Sequence, residues 1–332
     1  YVSPLVPAAF KYMGYNLVQL PESDMMTAEY GLKYANNEVC YPATLVVGDL
    51  IKALDSGVYD PDDVAVIITQ TGGQCRATNY VALLKRAMVE AGYEDVPVLS
   101  LAMGGRVNSQ PGFKLNWLKF LPIALAAVIY GDVISKFYHA SAARESNSGD
   151  ARRLREKWLD KASKKILAGD SSGIYNMIPE AANDFNAIID NTYGELPRVG
   201  IVGEIYLKFS GFAHKRIVDW LLERRIEVVP PVLLDFFMVA FVNKEQRHLT
   251  GIKKSQIPVG LLRKVYNLIW NKLQKINELA SGFRHYIPFH NVYGLADNAR
   301  QVISLSSQFG EGWLLPGEVV SFAKNGVNNV IS

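Results

Sequence analysis

Cysteine is the residue type here best suited to chemistry, and the 332 residues hold only two, Cys40 and Cys75. Each sits where a loop gives way to a helical pattern. Cys40 lies in Val39-Cys40-Tyr41-Pro42, ahead of an apolar-periodic run to Leu54. Proline fits the first turn of a helix, where its missing N–H costs nothing. Cys75 lies in Thr69–Tyr80, TQTGGQCRATNY, between the apolar run Val64–Ile68 and a helical pattern over Arg76–Ala91. Both thiols are therefore predicted at helix N-termini. Unpaired N–H groups and the helix dipole there favour negative charge on the sulfur or on a group that it binds. Packing is the plain alternative, because free cysteine is among the most buried residue types. A Cys40–Cys75 disulfide is a further one, although two cysteines in this length are not a disulfide framework. Two thiolates do not fill the four positions of a typical zinc or iron–sulfur site, so ligation requires a further ligand.

Around Cys75, the pair Gly72-Gly73 would let backbone approach a bound group closely, and Arg76 and Asn79 could reach an anion. The same two side chains could equally hold the loop through its carbonyls. Gly72-Gly73 is part of neither GxxxxGK[ST] nor GxGxxG, so ATP hydrolysis by this chain is unsupported. Glu204 follows a predicted strand and is read as an acid, base or ligand, against a solvated or helix-capping carboxylate. The five histidines, His139, His214, His248, His285 and His290, show no HxxxH or HExxH spacing, which assigns them to surface or packing.

The elements that must position these residues alternate. Asn16–Leu20 reads as a strand, Ser23–Tyr34 as a helix, and the run after Pro42 as a helix ending near Ser56-Gly57. Val64–Ile68 is a buried strand, the helix after Cys75 ends at Ala91-Gly92, and Val96–Leu101 is another strand. This order predicts a parallel sheet covered on both faces, with function at the carboxyl ends of the strands. Lys114 to about Asn191 is mainly helical. A second alternation follows, with strands Val199–Val202 and Ile226–Val229 around a helix Phe212–Arg225. After a mostly helical stretch to Phe283, it closes on a helix to Lys324 and a strand Asn328–Ile331. The expected fold is α/β, two Rossmann-like parallel-sheet units joined by a mainly helical segment. Its divisions are 1–112, carrying both cysteines, 113–196, and 197–332, the last read as truncated after its strand.

With 49% hydrophobic residues, 20% charged residues and a net charge of +3, the composition is that of a soluble globular protein. It offers no basic block, so nucleic acid is not an expected partner. The most apolar window, Trp117–Ile134, contains Lys119, Pro122 and Asp132 and reads as a buried helix, so no membrane is expected either. No signal peptide is visible, and the start at Tyr1 reads as an excised or processed piece.

Asn36–Pro42 (NNEVCYP), Thr69–Tyr80 and Gly310–Glu318 (GEGWLLPGE) together resemble the activase-related proteins of the 2-hydroxyacyl-CoA dehydratase superfamily. GFKLNW, YGD, PRVGIVGEIYLKF and LLDFF fit as well, so the resemblance covers nearly the whole chain. It implies a cytoplasmic protein of anaerobic metabolism with a 4Fe-4S or related cluster between Rossmann-like units. Cys40 and Cys75 match two of the family's cysteines, and the third is expected beyond Ser332. The family's Pro-Tyr-Glu element is replaced here by Ser141–Ser146 (SAARES). The resemblance further implies ATP-dependent activase modules as partners, an acyl-CoA substrate and a homodimer. In such a system one low-potential electron reduces the thioester carbonyl of a 2-hydroxyacyl-CoA, which then loses water. Two alternatives stand beside it: a non-catalytic scaffold docking activase domains, and an α/β module binding a CoA ester.

Overall fold

The computed structural model describes residues 4–36, 38–70, 75–102, 113–255 and 257–332. In chain order its elements are α1 (Leu5–Tyr12), α2 (Met25–Tyr34), α3 (Tyr41–Asp55), β1 (Val66–Gln70), α4 (Tyr80–Ala91) and β2 (Val98–Ala102). Then come α5 (Trp117–Ala142), α6 (Asp150–Leu167), α7 (Ile178–Ala187), β3 (Arg198–Ile201), α8 (Ile205–Phe209), α9 (Ile217–Glu223) and β4 (Glu227–Val229). The chain closes with α10 (Leu233–Leu249), α11 (Val259–Ala280), α12 (Val292–Ala299), α13 (Leu314–Lys324) and β5 (Asn329–Ile331).

The fold is mixed α/β with two small parallel sheets. One holds β1 and β2, paired from Val66↔Val98 to Gln70↔Ala102. The other has the order β4-β3-β5, all parallel. Packing divides the chain into a smaller unit, Gln19–Lys114 with Phe209–Lys215, and a larger unit formed by the rest. Both cysteines lie in the smaller unit. The helices of 113–196 share the larger unit with β3, β4 and β5.

The smaller unit is a two-strand crossover with a helical hairpin packed on it. Val47, Ile51 and Leu54 of α3 meet Val66 and Ile68 of β1, Leu84 and Met88 of α4, and Val98 of β2 in one core. Gly92 ends α4 in the left-handed conformation (φ 82°), as its lack of a Cβ permits. The hairpin α2–α3 is unusually close. A Cβ at Gly48 would come within 2.0 Å of the Thr27 carbonyl oxygen, and one at Gly31 within 2.2 Å of that of Thr44. Two glycines thus let the backbones of α2 and α3 touch and fix the helix that Cys40 begins.

In the larger unit α5 is the central element, burying Tyr130, Ile134 and Phe137 against Trp158 of α6 and Phe185 of α7. By length and composition α5 could cross a membrane, yet 56% of its most apolar window is buried inside the protein. Buried Asp132 and Lys136 on α5 bond to neighbouring segments, as a core helix requires.

Two expected elements are corrected. Asn16–Leu20 is not a strand: among the described residues it has no sheet partner, and helix α1 precedes it. Only Leu17, Val18 and Leu20 are apolar before Pro21, with Gln19 between them, too little to hold a strand without a ladder. The expected helix Phe212–Arg225 shrinks to α9, because Lys215 and Arg216 both take positive φ (51° and 54°). Side chains other than glycine seldom adopt that conformation, and no glycine marks it in the sequence.

Candidate functional site

Cys40 is the N-cap of α3, with extended backbone (φ −67°, ψ 151°) and Pro42 in the first turn. Its carbonyl accepts from the Thr44 N–H at 3.2 Å, while its thiol makes no hydrogen bond to the helix it caps. Cys75 is likewise extended (φ −140°, ψ 155°) and caps a single 3-10 turn, Arg76–Asn79, that runs into α4. Its carbonyl accepts from the Thr78 N–H at 3.1 Å, and its thiol also makes no capping bond. Both cysteines are exposed and free. Both thiols thus stand at helix starts and are spent neither on packing nor on capping.

The two helix starts face the same way. Asp55, the last residue of α3, accepts from the hydroxyl of Tyr93 at 3.0 Å and from that of Tyr30 at 2.6 Å. Tyr93 directly follows α4 and leads into β2, so the C-terminal ends of α3 and α4 are joined at the edge where the strands begin. The helices pack on each other. Their N-termini, one with Cys40 and one with Cys75, therefore point to the opposite edge, where β1 and β2 end. Ligands gather at this carboxyl edge in parallel sheets.

Gln70, the last residue of β1, holds the Cys75 turn in place. Its Nε2 donates to the Thr78 carbonyl at 2.9 Å, and its Oε1 accepts from the Ser100 hydroxyl of β2 at 2.6 Å. Sequence reasoning gave Gln70 no role, although it lies inside the Thr69–Tyr80 motif. Asn79 is exposed at the start of α4 and makes no side-chain capping bond. Gly72, Gly73 and the Arg76 side chain lie outside the described residues. Glu204 belongs to the larger unit, where its Oε2 accepts from the Leu207 N–H at 3.2 Å and so caps α8.

A second constellation, missed by sequence reasoning, sits around the loops that follow β3 and β4. Asp132 of α5 is fully buried and accepts from the Leu233 and Leu234 N–H groups at 2.9 and 3.0 Å, satisfying the start of α10. One turn on, Lys136 donates to the Ile287 carbonyl at 2.9 Å. Lys208 of α8 pairs with Glu318 of α13 at 3.3 Å, both buried. Glu311 accepts from the Ile205 N–H at 2.7 Å. Asp235, in the first turn of α10, is 5% exposed.

Burial sets the charge states there. It pushes Asp235 up to about 8, aided by the neighbouring Glu318 and Asp132 charges, and it pushes Lys136 down to about 8. It also raises Glu318 and Glu311. The sequence did carry a signal for this network. Asp132, Lys208, Asp235, Glu311 and Glu318 fall in the YGD, PRVGIVGEIYLKF, LLDFF and GEGWLLPGE segments, which the structure brings together. Among the described residues no three His, Cys, Asp or Glu side chains form a group able to hold a metal ion.

No protein-family model, curated protein or solved structure matches this chain.

The network permits a stability test. An acid whose folded-state pKa is raised stabilises the fold fully below its unfolded value near 3.8, and that contribution is lost as pH rises to about 8. Asparagine does not titrate. Asp235→Asn is therefore expected to gain stability relative to the natural protein between about pH 4 and pH 8, with a flat difference above that. Urea denaturation across this range checks it, and a difference independent of pH would show that Asp235 is ionised in the folded state.

Proposed function

We propose that this chain is the iron–sulfur-bearing part of an ATP-coupled, low-potential electron-transfer or reductive-dehydration system. The observation that carries the reading is the pair of exposed, unengaged thiols on two packed helices that both start toward the carboxyl edge of β1–β2. Cys40 and Cys75 fit as two thiolate ligands, and the resemblance implies a third. A cluster held there would supply one-electron chemistry. The chain's own part is to orient the ligands. The α2–α3 contact at Gly31 and Gly48 fixes the helix behind Cys40, and Gln70 fixes the turn behind Cys75.

Two Rossmann-like units, a 4Fe-4S type of cluster, activase modules as electron donors, an acyl-CoA substrate and a homodimer belong to the same proposal. So do a cytoplasmic setting and contacts from Gly72, Gly73, Arg76 and Asn79. The capping bond of Glu204 gives it a structural task in α8, so it is the weakest member of the proposed set.

Thiol footprinting tests the reading. In metal-free protein both cysteines are expected to react readily with iodoacetamide, because both are exposed. After anoxic reconstitution with iron and sulfide, both are expected to be protected. Unchanged labelling of either thiol in the reconstituted protein would remove it from the ligand set.

A further inference from the structure

We infer that the tip of the α10–α11 hairpin is a peripheral lipid-contact surface that takes an anionic membrane. This goes beyond the proposed function and does not depend on it. Helices α10 and α11 are tied by Arg263, whose Nη2 meets Glu245 Oε1 at 2.8 Å. Beyond that tie the connection folds back on the end of α10. The Lys253 N–H donates to the Arg247 carbonyl at 3.1 Å, and the Ser255 N–H reaches His248 Nδ1 at 3.4 Å. The result is a turn closed on the end of α10.

This turn exposes aliphatic side chains that the core does not use. Leu249 is 67% exposed, Ile252 63% and Leu261 51%, and Leu268 continues the stripe down α11 at 71%. Leu261, Val265 and Leu268 follow one another at i, i+4 and i+7, so they share one face of α11. Along the chain the charges between Glu245, which is paired with Arg263, and Glu278 are of one sign. Residues 246–277 contain seven Lys or Arg and no Asp or Glu. Lys253, Lys254 and Lys264 are exposed beside the aliphatic residues.

Charge and residue type together select the occupant. Protein interfaces are depleted in lysine and anchored by exposed aromatic residues or arginine. Here the exposed residues are mainly aliphatic and lysine, no aromatic residue is exposed among those described in 246–277, and Arg263 is engaged by Glu245. That combination suits a bilayer interface, where the aliphatic groups enter the headgroup region and the lysines meet anionic lipid.

Flotation with vesicles tests the inference. The natural protein is expected to float with phosphatidylcholine–phosphatidylglycerol vesicles at low salt, to lose binding at high salt, and not to float with phosphatidylcholine alone. Ile252→Asp combined with Leu261→Asp is expected to lower the bound fraction about tenfold. Val58→Asp, at a site 74% exposed in the smaller unit, serves as the control and leaves binding unchanged. Circular dichroism confirms that the exposed-site variants fold. Absence of flotation with anionic vesicles overturns the inference, as does flotation that survives the double substitution. Self-association that the double substitution abolishes, without vesicle binding, would make the tip a protein interface and overturn it equally.

Discussion

Glu227→Ala is expected to destabilise the larger unit by about 3–5 kcal/mol. Glu227 opens β4, and its Oε2 accepts from Arg144 Nη2 at 2.7 Å with both side chains only 5% exposed. Arg144 follows α5 and also donates to the Ala140 carbonyl at 3.1 Å, while its Nε has no partner among the described residues. Removing the carboxylate leaves a guanidinium buried and largely uncompensated, and arginine does not escape by losing its proton. Such a loss is a large part of the roughly 5–15 kcal/mol that holds a domain folded. The pair itself is a different matter, because its Coulomb gain only offsets the cost of drying two charges. Arg144→Met with Glu227→Leu is therefore expected to recover most of the loss. Urea denaturation of the single and double variants reads both. A single-variant cost below about 1 kcal/mol would mean that water reaches the guanidinium.

The second large effect concerns the thiols. Cys75→Ser and Cys40→Ser are each expected to lower iron retention by about tenfold or more, because a serine hydroxyl replaces a soft thiolate donor. Stability should barely move. Both side chains are exposed, and neither makes the capping bond that a substitution could break. Loss of iron with an unchanged denaturation midpoint separates a ligand from a packing residue. Loss of both together would instead point to a structural role for the loop. Unchanged iron would remove that cysteine from the reading.

Much of the smaller unit was legible because its signals are local. Ala91-Gly92 marks a helix end that the left-handed Gly92 realises, and Ser56-Gly57 directly follows the last residue of α3, Asp55. The runs Val64–Ile68 and Val96–Leu101 became β1 and β2, shifted by one or two residues. The placement of both cysteines at helix starts followed from Pro42 and from the strand–loop–helix order. The shared direction of those helices did not, because it rests on Asp55, Tyr30 and Tyr93, which lie up to 63 positions apart in the chain.

The larger unit was harder for the same physical reason. Asp132 looked like a blemish in an apolar window, and its partners, the N–H groups of Leu233 and Leu234, are about 100 residues away. Periodicity reports which face of an element is buried, and it says nothing about buried charges that are satisfied over long range. The left-handed pair Lys215-Arg216, which shortened α9, carries no composition signal either. Of the candidate site, Gln70 was hidden in a motif whose chemistry drew attention to its cysteine and glycines.

The most direct test of the central claim is a cluster measurement on the protein. Purified without oxygen, it is assayed for iron and acid-labile sulfide, and its reduced form is examined by electron paramagnetic resonance, with Cys75→Ser alongside. The account predicts iron and sulfide near cluster stoichiometry, and a reduced-cluster signal that the substitution removes. A well-folded protein that remains free of iron and sulfide after reconstitution would contradict it.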